Sequence, residues 1–304
     1  MNKGVKLAFV TAIISGFAVF FNKFAVGFWQ NSSVYTTAKN LIAVLFLCSL
    51  LLLIGKAKEL KKLSKKQWLQ LVGIGLIGGS IPFLLFFKGL SLTATVNAAF
   101  IHKTLFVWVA LMAVPFLKEK ISVLQFVAMA VLLLGVYSFL SPGDLKIGYG
   151  EFLALIATLF WAAENVIAKK VLKNISAVVV GWGRMFFGSI FLLIYLCATG
   201  SVTQLWVFDI DSLGWLMLAG LFLFGYVITW YSALKHASAV VVSSILVLAL
   251  PITALLNSVF VTGKFNTGLI FPGFLILAAL LLIGEFQKRI QYSEVESSVE
   301  VRPH

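Results

Sequence analysis

GYGEFLALIATLFWAAENVIA, residues 148–168, holds only two charges in 21 residues, Glu151 near its start and Glu164 near its end. An α-helix rises about 1.5 Å per residue, so roughly 20 apolar residues cross a hydrocarbon core of about 30 Å. The stretch therefore predicts a membrane-spanning helix. Helical spacing puts Ala157, Trp161, Glu164 and Ala168 on one stripe, flanked by Thr158 and Asn165. A carboxylate at membrane depth is expensive and by default functional.

Working outward, nine further stretches of this kind occur. The first five are roughly 5–27, 33–54, 68–88, 93–116 and 121–139. The second five, with the opening stretch at their head, are roughly 148–168, 177–198, 212–233, 238–261 and 267–285. The predicted fold is an all-α integral membrane protein with ten transmembrane helices. Alternating strands are absent, which argues against a β-barrel. The first stretch follows Lys3 and Lys6 and runs to about Trp29 without a small-residue cleavage site, so it reads as a span and not a leader.

Composition agrees. Of 304 residues, 61% are apolar and 12% charged, and the mean hydropathy is +1.04. A soluble domain carries about 25% charged residues. An ordinary cytosolic enzyme, a secreted disulfide scaffold and a disordered chain are thus excluded. Cys48 and Cys197 both lie in apolar runs and suggest neither a disulfide framework nor a metal site.

The net charge of +13 would suit nucleic acid, but the positions of the charges argue otherwise. With the N-terminus in the cytoplasm, 17 of the 24 Lys and Arg fall inside and three outside (Lys88, Lys146, Lys264). Four lie within spans: Lys23, Lys39, Lys103 and Arg184. The positive-inside rule then places both termini in the cytoplasm of a multi-pass cell-membrane protein. The cluster Lys56–Lys66 reads as a topogenic loop beside lipid, and no nucleic-acid partner is expected.

The chain repeats itself. Gly4–Phe9 resembles Gly150–Leu155, which lays Ser15-Gly16 over Trp161-Ala162 and Lys23 over Lys169. Lys39 lies over Arg184, Phe86-Phe87 over Tyr231-Ser232, and Leu92-Thr93-Ala94 over Ala237-Ser238-Ala239. Five spans per half is odd, so the second half is inverted. Inverted repeats meeting near the midplane characterise secondary transporters. The expected organisation is a first five-helix repeat over 1–140, a linker 141–147 with Ser141-Pro-Gly-Asp144, a second repeat over 148–286 and a cytoplasmic tail 287–304.

On these features the chain resembles the drug/metabolite transporter superfamily in its EamA-type branch. The basic residue early in the second span of each half (Lys39, Arg184), the small-residue steps Leu92–Ala94 and Ala237–Ala239, Pro251, and the turn Phe116–Ser122 carry the resemblance over about residues 4–286. Lys264 stands where the second half's turn glutamate is expected, and Phe106 where the first half's proline is expected. The resemblance implies transport and leaves the cargo open.

Polar residues within the spans supply the candidate site. The repeat maps the Glu164 stripe onto Thr11, Ser15, Ala18 and Asn22, so spans 1 and 6 are expected to wall a central cavity with Glu164, Asn165, Trp161, Asn22 and Thr11. His102 and Lys103 lie near the middle of span 4, Lys103 roughly 15 Å deep. An axial offset of roughly 8 Å would let Lys103 reach Glu164 if the helices adjoin. Lys39 and Arg184 either snorkel to headgroups or bind an anion. Trp161, Trp108, Tyr226, Trp230 and Tyr231 are deep enough to line a cavity, and Pro82 and Pro272-Gly273 are expected to bend spans 3 and 10.

The leading expectation is a secondary active exporter of small polar metabolites, such as amino acids or related zwitterions. Lys103 or Arg184 would take the carboxylate and Glu164 with aromatic rings the ammonium, with protons as a candidate coupling ion. No Gly-x-x-x-x-Gly-Lys-Ser/Thr motif is present, so no ATP and no cofactor are expected. An exchanger of phosphorylated or nucleotide-linked metabolites is the alternative within transport. A membrane enzyme or lipid-handling protein would need an acid/histidine cluster, for which Asp209 with Asp211 is the sole candidate.

Overall fold

The computed structural model describes residues 2–29, 31–141, 148–206 and 210–283. Most of the expected linker, the expected tail and Asp209 lie outside the described residues. Among the described residues, nine helices are long and apolar enough to cross a bilayer. They are Lys3–Phe28, Ser32–Leu53, Lys65–Leu90, Thr95–Leu117, Val123–Leu140, Tyr149–Val171, Ala177–Ala198, Ile210–His236 and Ala239–Thr262, numbered spans 1 to 9. The shorter apolar helix Thr267–Ile283 is span 10. No strand occurs among the described residues. The protein is an all-α, multi-pass membrane protein.

Short polar side chains start the helices. Asn2, Asn31, Ser64, Ser122 and Ser238 each accept a backbone N–H of the first turn, and Ser64/Gln67 and Ser122/Gln125 close reciprocal capping boxes. Close approach fixes the pairing of spans 3 and 7. A Cβ on Gly79 would stand 2.5 Å from the Arg184 carbonyl oxygen and 2.9 Å from Gly188 Cα, so only glycine fits this crossing.

Three spans are broken, each for a local reason. Span 3 divides at Ser80 into Lys65–Gly79 and Ile81–Leu90. Pro82 has no N–H, which releases the Gly78 carbonyl four residues back. Span 9 tightens to a 3-10 stretch at Leu246–Leu248, where Pro251 withholds the donor for Val247. Span 4 divides at Thr104 into Thr95–Lys103 and Leu105–Leu117. Phe106 is no proline, so another cause operates there. The Thr104 hydroxyl donates to the Ile101 carbonyl at 2.6 Å and accepts the Trp108 indole N–H at 3.1 Å, competing with the helix for its own acceptors. Pro272 lies near the start of span 10. It falls in the first turn after the 3-10 stretch Thr267–Leu269, where a missing N–H removes no helical bond.

The spans alternate in direction, so the bundle has an N-face, carrying the start of span 1, and an opposite face. Polar ties crowd the N-face. The Asn2 amide donates to the His236 carbonyl at 3.2 Å, and Lys235 to the Ile175 carbonyl at 3.2 Å. Lys169 donates to the carbonyls of Leu234 and Ala237 at 2.5 and 2.6 Å, so it is turned into the protein instead of anchoring in headgroups. The Glu59 carboxylate accepts the Ser176 backbone N–H at 2.7 Å.

Partial burial alone would push the Glu59 carboxyl up, but the Ser176 backbone N–H and the Lys56 ammonium hold the carboxyl below its usual value. A lowered folded value means the tie stabilises the fold above the usual carboxylate range and is lost as pH falls through the lowered value. Hydrogen exchange at the Ser176 amide is expected to be slow at neutral pH and to lose its protection in acid, once the intrinsic rate is corrected for. Equal protection in Glu59→Gln would remove the carboxylate from this account.

Candidate functional site

The released carbonyl of Gly78 is the centre of the buried polar cluster. It accepts the Trp161 indole N–H at 3.1 Å and an Arg184 guanidinium N–H at 3.0 Å. Glu164, 2% exposed, lies against the same glycine, and its carboxylate accepts the Tyr231 hydroxyl at 2.5 Å. A Cβ built on Gly78 would be 2.9 Å from the Glu164 carboxyl carbon and 3.2 Å from Arg184 Nε, which puts the two charges within about 6 Å of each other. They do not form a contact pair: Lys56–Glu59 is the one ion pair among the described residues. Next to Glu164, Asn165 accepts the Trp230 indole N–H at 3.1 Å. Spans 3, 6, 7 and 8 thus each contribute to one buried network, in which Arg184 Nε keeps no hydrogen-bond partner.

Trp161 joins this network to span 4. Its ring meets His102 edge-on with centroids 4.7 Å apart, and Phe83 and Phe86 complete the aromatic packing at 5.3 and 5.6 Å. His102 and Lys103 sit at the break of span 4 and face the break of span 9 across a small cavity shared with Leu105, Ser243, Leu246 and Val247. Nδ1 of His102 is buried without a hydrogen-bond partner. Lys103 has no hydrogen bond or ion pair among the described residues. This is an unneutralised cation beside two helix breaks.

Other expected site residues lie elsewhere. Lys103 does not pair with Glu164; Tyr231 bonds the carboxylate and Arg184 is its close cation. Arg184, 6% exposed, does not snorkel. Asn22 belongs to a separate cluster towards the opposite face. It accepts the Tyr35 hydroxyl and, at 3.4 Å, the Lys39 ammonium, which also lies 5.1 Å from the Tyr35 ring centroid. Thr11 is fully buried and donates to the Leu7 carbonyl of its own helix at 2.8 Å. Neither Thr11 nor Asn22 has a hydrogen bond to Glu164 among the described residues. Asp211 lies in the first turn of span 8, and its proposed companion Asp209 is outside the described residues.

A helical bundle of membrane spans, broken within their length in both halves and holding buried opposite charges, has the construction of a membrane transporter. Comparison with known proteins names the family. The model of the EamA-like transporter family matches residues 2–141 and again residues 148–284. The chain belongs to the EamA-like transporter family. It is 30% identical over 199 residues to an uncharacterized transporter of Clostridium kluyveri, covering 61% of each chain. It is 24% identical over 156 residues to an uncharacterized transporter of Methanothermobacter thermautotrophicus, covering 49% of this chain and 46% of that one. The matched stretches thus span about half to three-fifths of these curated relatives. A solved crystal structure aligns with a TM-score of 0.77 at 14% identity, over 94% of this chain and 98% of that chain, a likeness of fold alone.

Proposed function

We propose that this transporter is a secondary active exporter of small polar metabolites of the amino-acid or related zwitterion type, working by alternating access. The observation that carries the reading is Lys103, which has no hydrogen bond or ion pair among the described residues and lines the cavity between the breaks of spans 4 and 9, beside His102, whose ring packs on the Trp161 of the Glu164 network. A half-buried ammonium with no partner among the described residues suits a carboxylate, because a charge withdrawn from water is best tolerated when paired. Arg184 is the weaker candidate, since the Gly78 carbonyl already takes one of its donors and Glu164 lies close by. Glu164 and the rings around it suit the ammonium end of the cargo. The N-face carries most of the lysines and is read as cytoplasmic. The chemistry is transport without catalysis.

The protein in proteoliposomes, assayed by counterflow against labelled amino acids and organophosphates, tests this. We expect amino-acid flux, and Lys103→Met to lower it at least tenfold, about 1.4 kcal/mol in the barrier, while the protein stays monodisperse. Full flux by Lys103→Met would remove Lys103 from the site. Flux of organophosphates alone would favour the phosphorylated-metabolite exchanger.

A further inference from the structure

Glu119 follows the end of span 4 in the first half of the chain and reaches the start of span 9 in the second. Its two carboxylate oxygens accept the backbone N–H groups of Ala239 at 2.8 Å and Val240 at 3.3 Å. Lys118, in the left-handed conformation with φ 57°, turns the chain so that Glu119 faces inward. Carboxylate-to-amide bonds are charge-assisted, and the first turn of a helix offers donors without helical partners.

This contact closes one face only. The second helix of span 4 (Leu105–Leu117) packs on the first helix of span 9 (Ala239–Ile245). Towards the opposite face the two spans part company. The first helix of span 4 (Thr95–Lys103) goes with span 6, and the later turns of span 9 (Ala249–Asn257) go with span 1. There Thr253 donates to the Gly16 carbonyl at 2.9 Å, and Lys23 to the Asn257 side chain at 3.4 Å. Among the described residues spans 4 and 9 form a V, joined at the N-face and diverging towards the opposite face, with the His102–Lys103 cavity near its apex.

The internal repeat supplies the comparison. The register that lays Ala94 over Ala239 lays Thr95 over Val240, Phe106 over Pro251 and Glu119 over Lys264. The mirror-image closure would need a carboxylate at 264 on the N–H groups of Ala94 and Thr95. Lys264 is exposed and can only donate. Span 4 starts at Ala94 with no side-chain cap, whereas Ser238 caps span 9. The nearby Glu151 is taken by the Thr93 hydroxyl and, at 3.3 Å, the Asn97 amide.

We propose that Glu119 is a one-sided latch: it holds the N-face shut, nothing equivalent among the described residues closes the opposite face because Lys264 occupies the matching position, and the carrier therefore rests open to the opposite face. The latch biases an equilibrium between two arrangements of the repeats, so each side of the asymmetry is adjustable by one residue.

Pulsed electron paramagnetic resonance distances test this without any cargo, so the result is independent of the substrate assignment. Spin labels replace exposed residues across each face in a Cys48→Ser, Cys197→Ser background: Lys118 with His236 on the N-face, and Leu92 with Asn266 opposite. The parent protein is expected to give one dominant population, short on the N-face and long opposite. Glu119→Ala should add a long N-face population, changing the population ratio at least tenfold. Lys264→Glu should add a short opposite-face population, and Lys264→Gln should not. A parent protein that already rests N-face open overturns the proposal. So does a Lys264→Glu distribution identical to the parent's; that exposed substitution decides the matter if Glu119→Ala fails to fold. If both variants fold and only Glu119→Ala leaves the distances unchanged, the latch is likewise overturned.

Discussion

Gly78→Ala is expected to abolish most transport and to lower stability, although it adds a single methyl group. The new Cβ would lie 2.3 Å from Glu164 Cγ and 2.9 Å from its carboxyl carbon, distances no real contact survives. Either Glu164 swings off the Tyr231 hydroxyl or spans 3 and 6 separate. Overpacking of this kind costs about 1–3 kcal/mol. The site suffers more, because the Gly78 carbonyl also holds Trp161 and Arg184 in place. Pro82→Ala approaches the same centre from the other side, by returning an N–H that competes for the Gly78 carbonyl. Gly73→Ala is the control: no atom lies within 4 Å of its Cβ, and replacing a mid-helix glycine stabilises by roughly 0.5–1 kcal/mol. Thermal unfolding in detergent and flux in proteoliposomes measure both effects. Gly78→Ala with parental unfolding and parental flux would show that the network yields freely and organises nothing.

Much of the bundle was legible because bilayer thickness imposes a length on every helix, and lysine placement reports the loops. The repeat was legible through short matched segments such as Gly4–Phe9 and Gly150–Leu155. The site was legible only in part. Glu164, Asn165, Trp161, Arg184 and Trp230 do share one network, since each is a polar or amphipathic group that cannot face lipid unpartnered. Who partners whom was not readable. Axial arithmetic put Lys103 near the depth of Glu164, but depth does not fix the direction in which each helix faces, and the carboxylate met Tyr231 from span 8 instead. Asn22 and Thr11 likewise make their hydrogen bonds outside the Glu164 network, because a register between repeats equates positions and not neighbours. The Gly78 carbonyl had a usable signal, a proline four residues downstream, which frees an acceptor wherever it falls in a helix. The break at Thr104 had a weak one. A hydroxyl mid-helix usually bonds back one turn harmlessly, and only the neighbouring Trp108 makes this one exceptional.

Glu164→Gln is expected to lower transport at least tenfold, and its pH profile separates two ways in which the carboxylate acts. In the first, Glu164 takes up and releases a proton during the cycle. Parental transport then varies with pH, and the glutamine variant, which cannot titrate, gives a flat, low profile. In the second, Glu164 stays charged as the counter-charge of Arg184, within about 6 Å of it across Gly78. The parental profile is then nearly flat, and removing the carboxylate alone leaves Arg184 as an uncompensated buried charge, a loss of about 3–5 kcal/mol where such pairs are tight. Glu164→Gln with Arg184→Met together should regain part of that stability. Glutamine keeps an acceptor for the Tyr231 hydroxyl, so the loss in either case reflects charge and not a missing hydrogen bond. A third, mixed role would have proton uptake loosen the carboxylate from Arg184 and Tyr231 so that span 8 moves against span 6. That role requires both signatures at once: a pH-dependent parent, and partial rescue of the folded variant by the double substitution. Parental rates in Glu164→Gln across the physiological pH range would leave Glu164 a packing residue and return the question of coupling to Lys103 and His102.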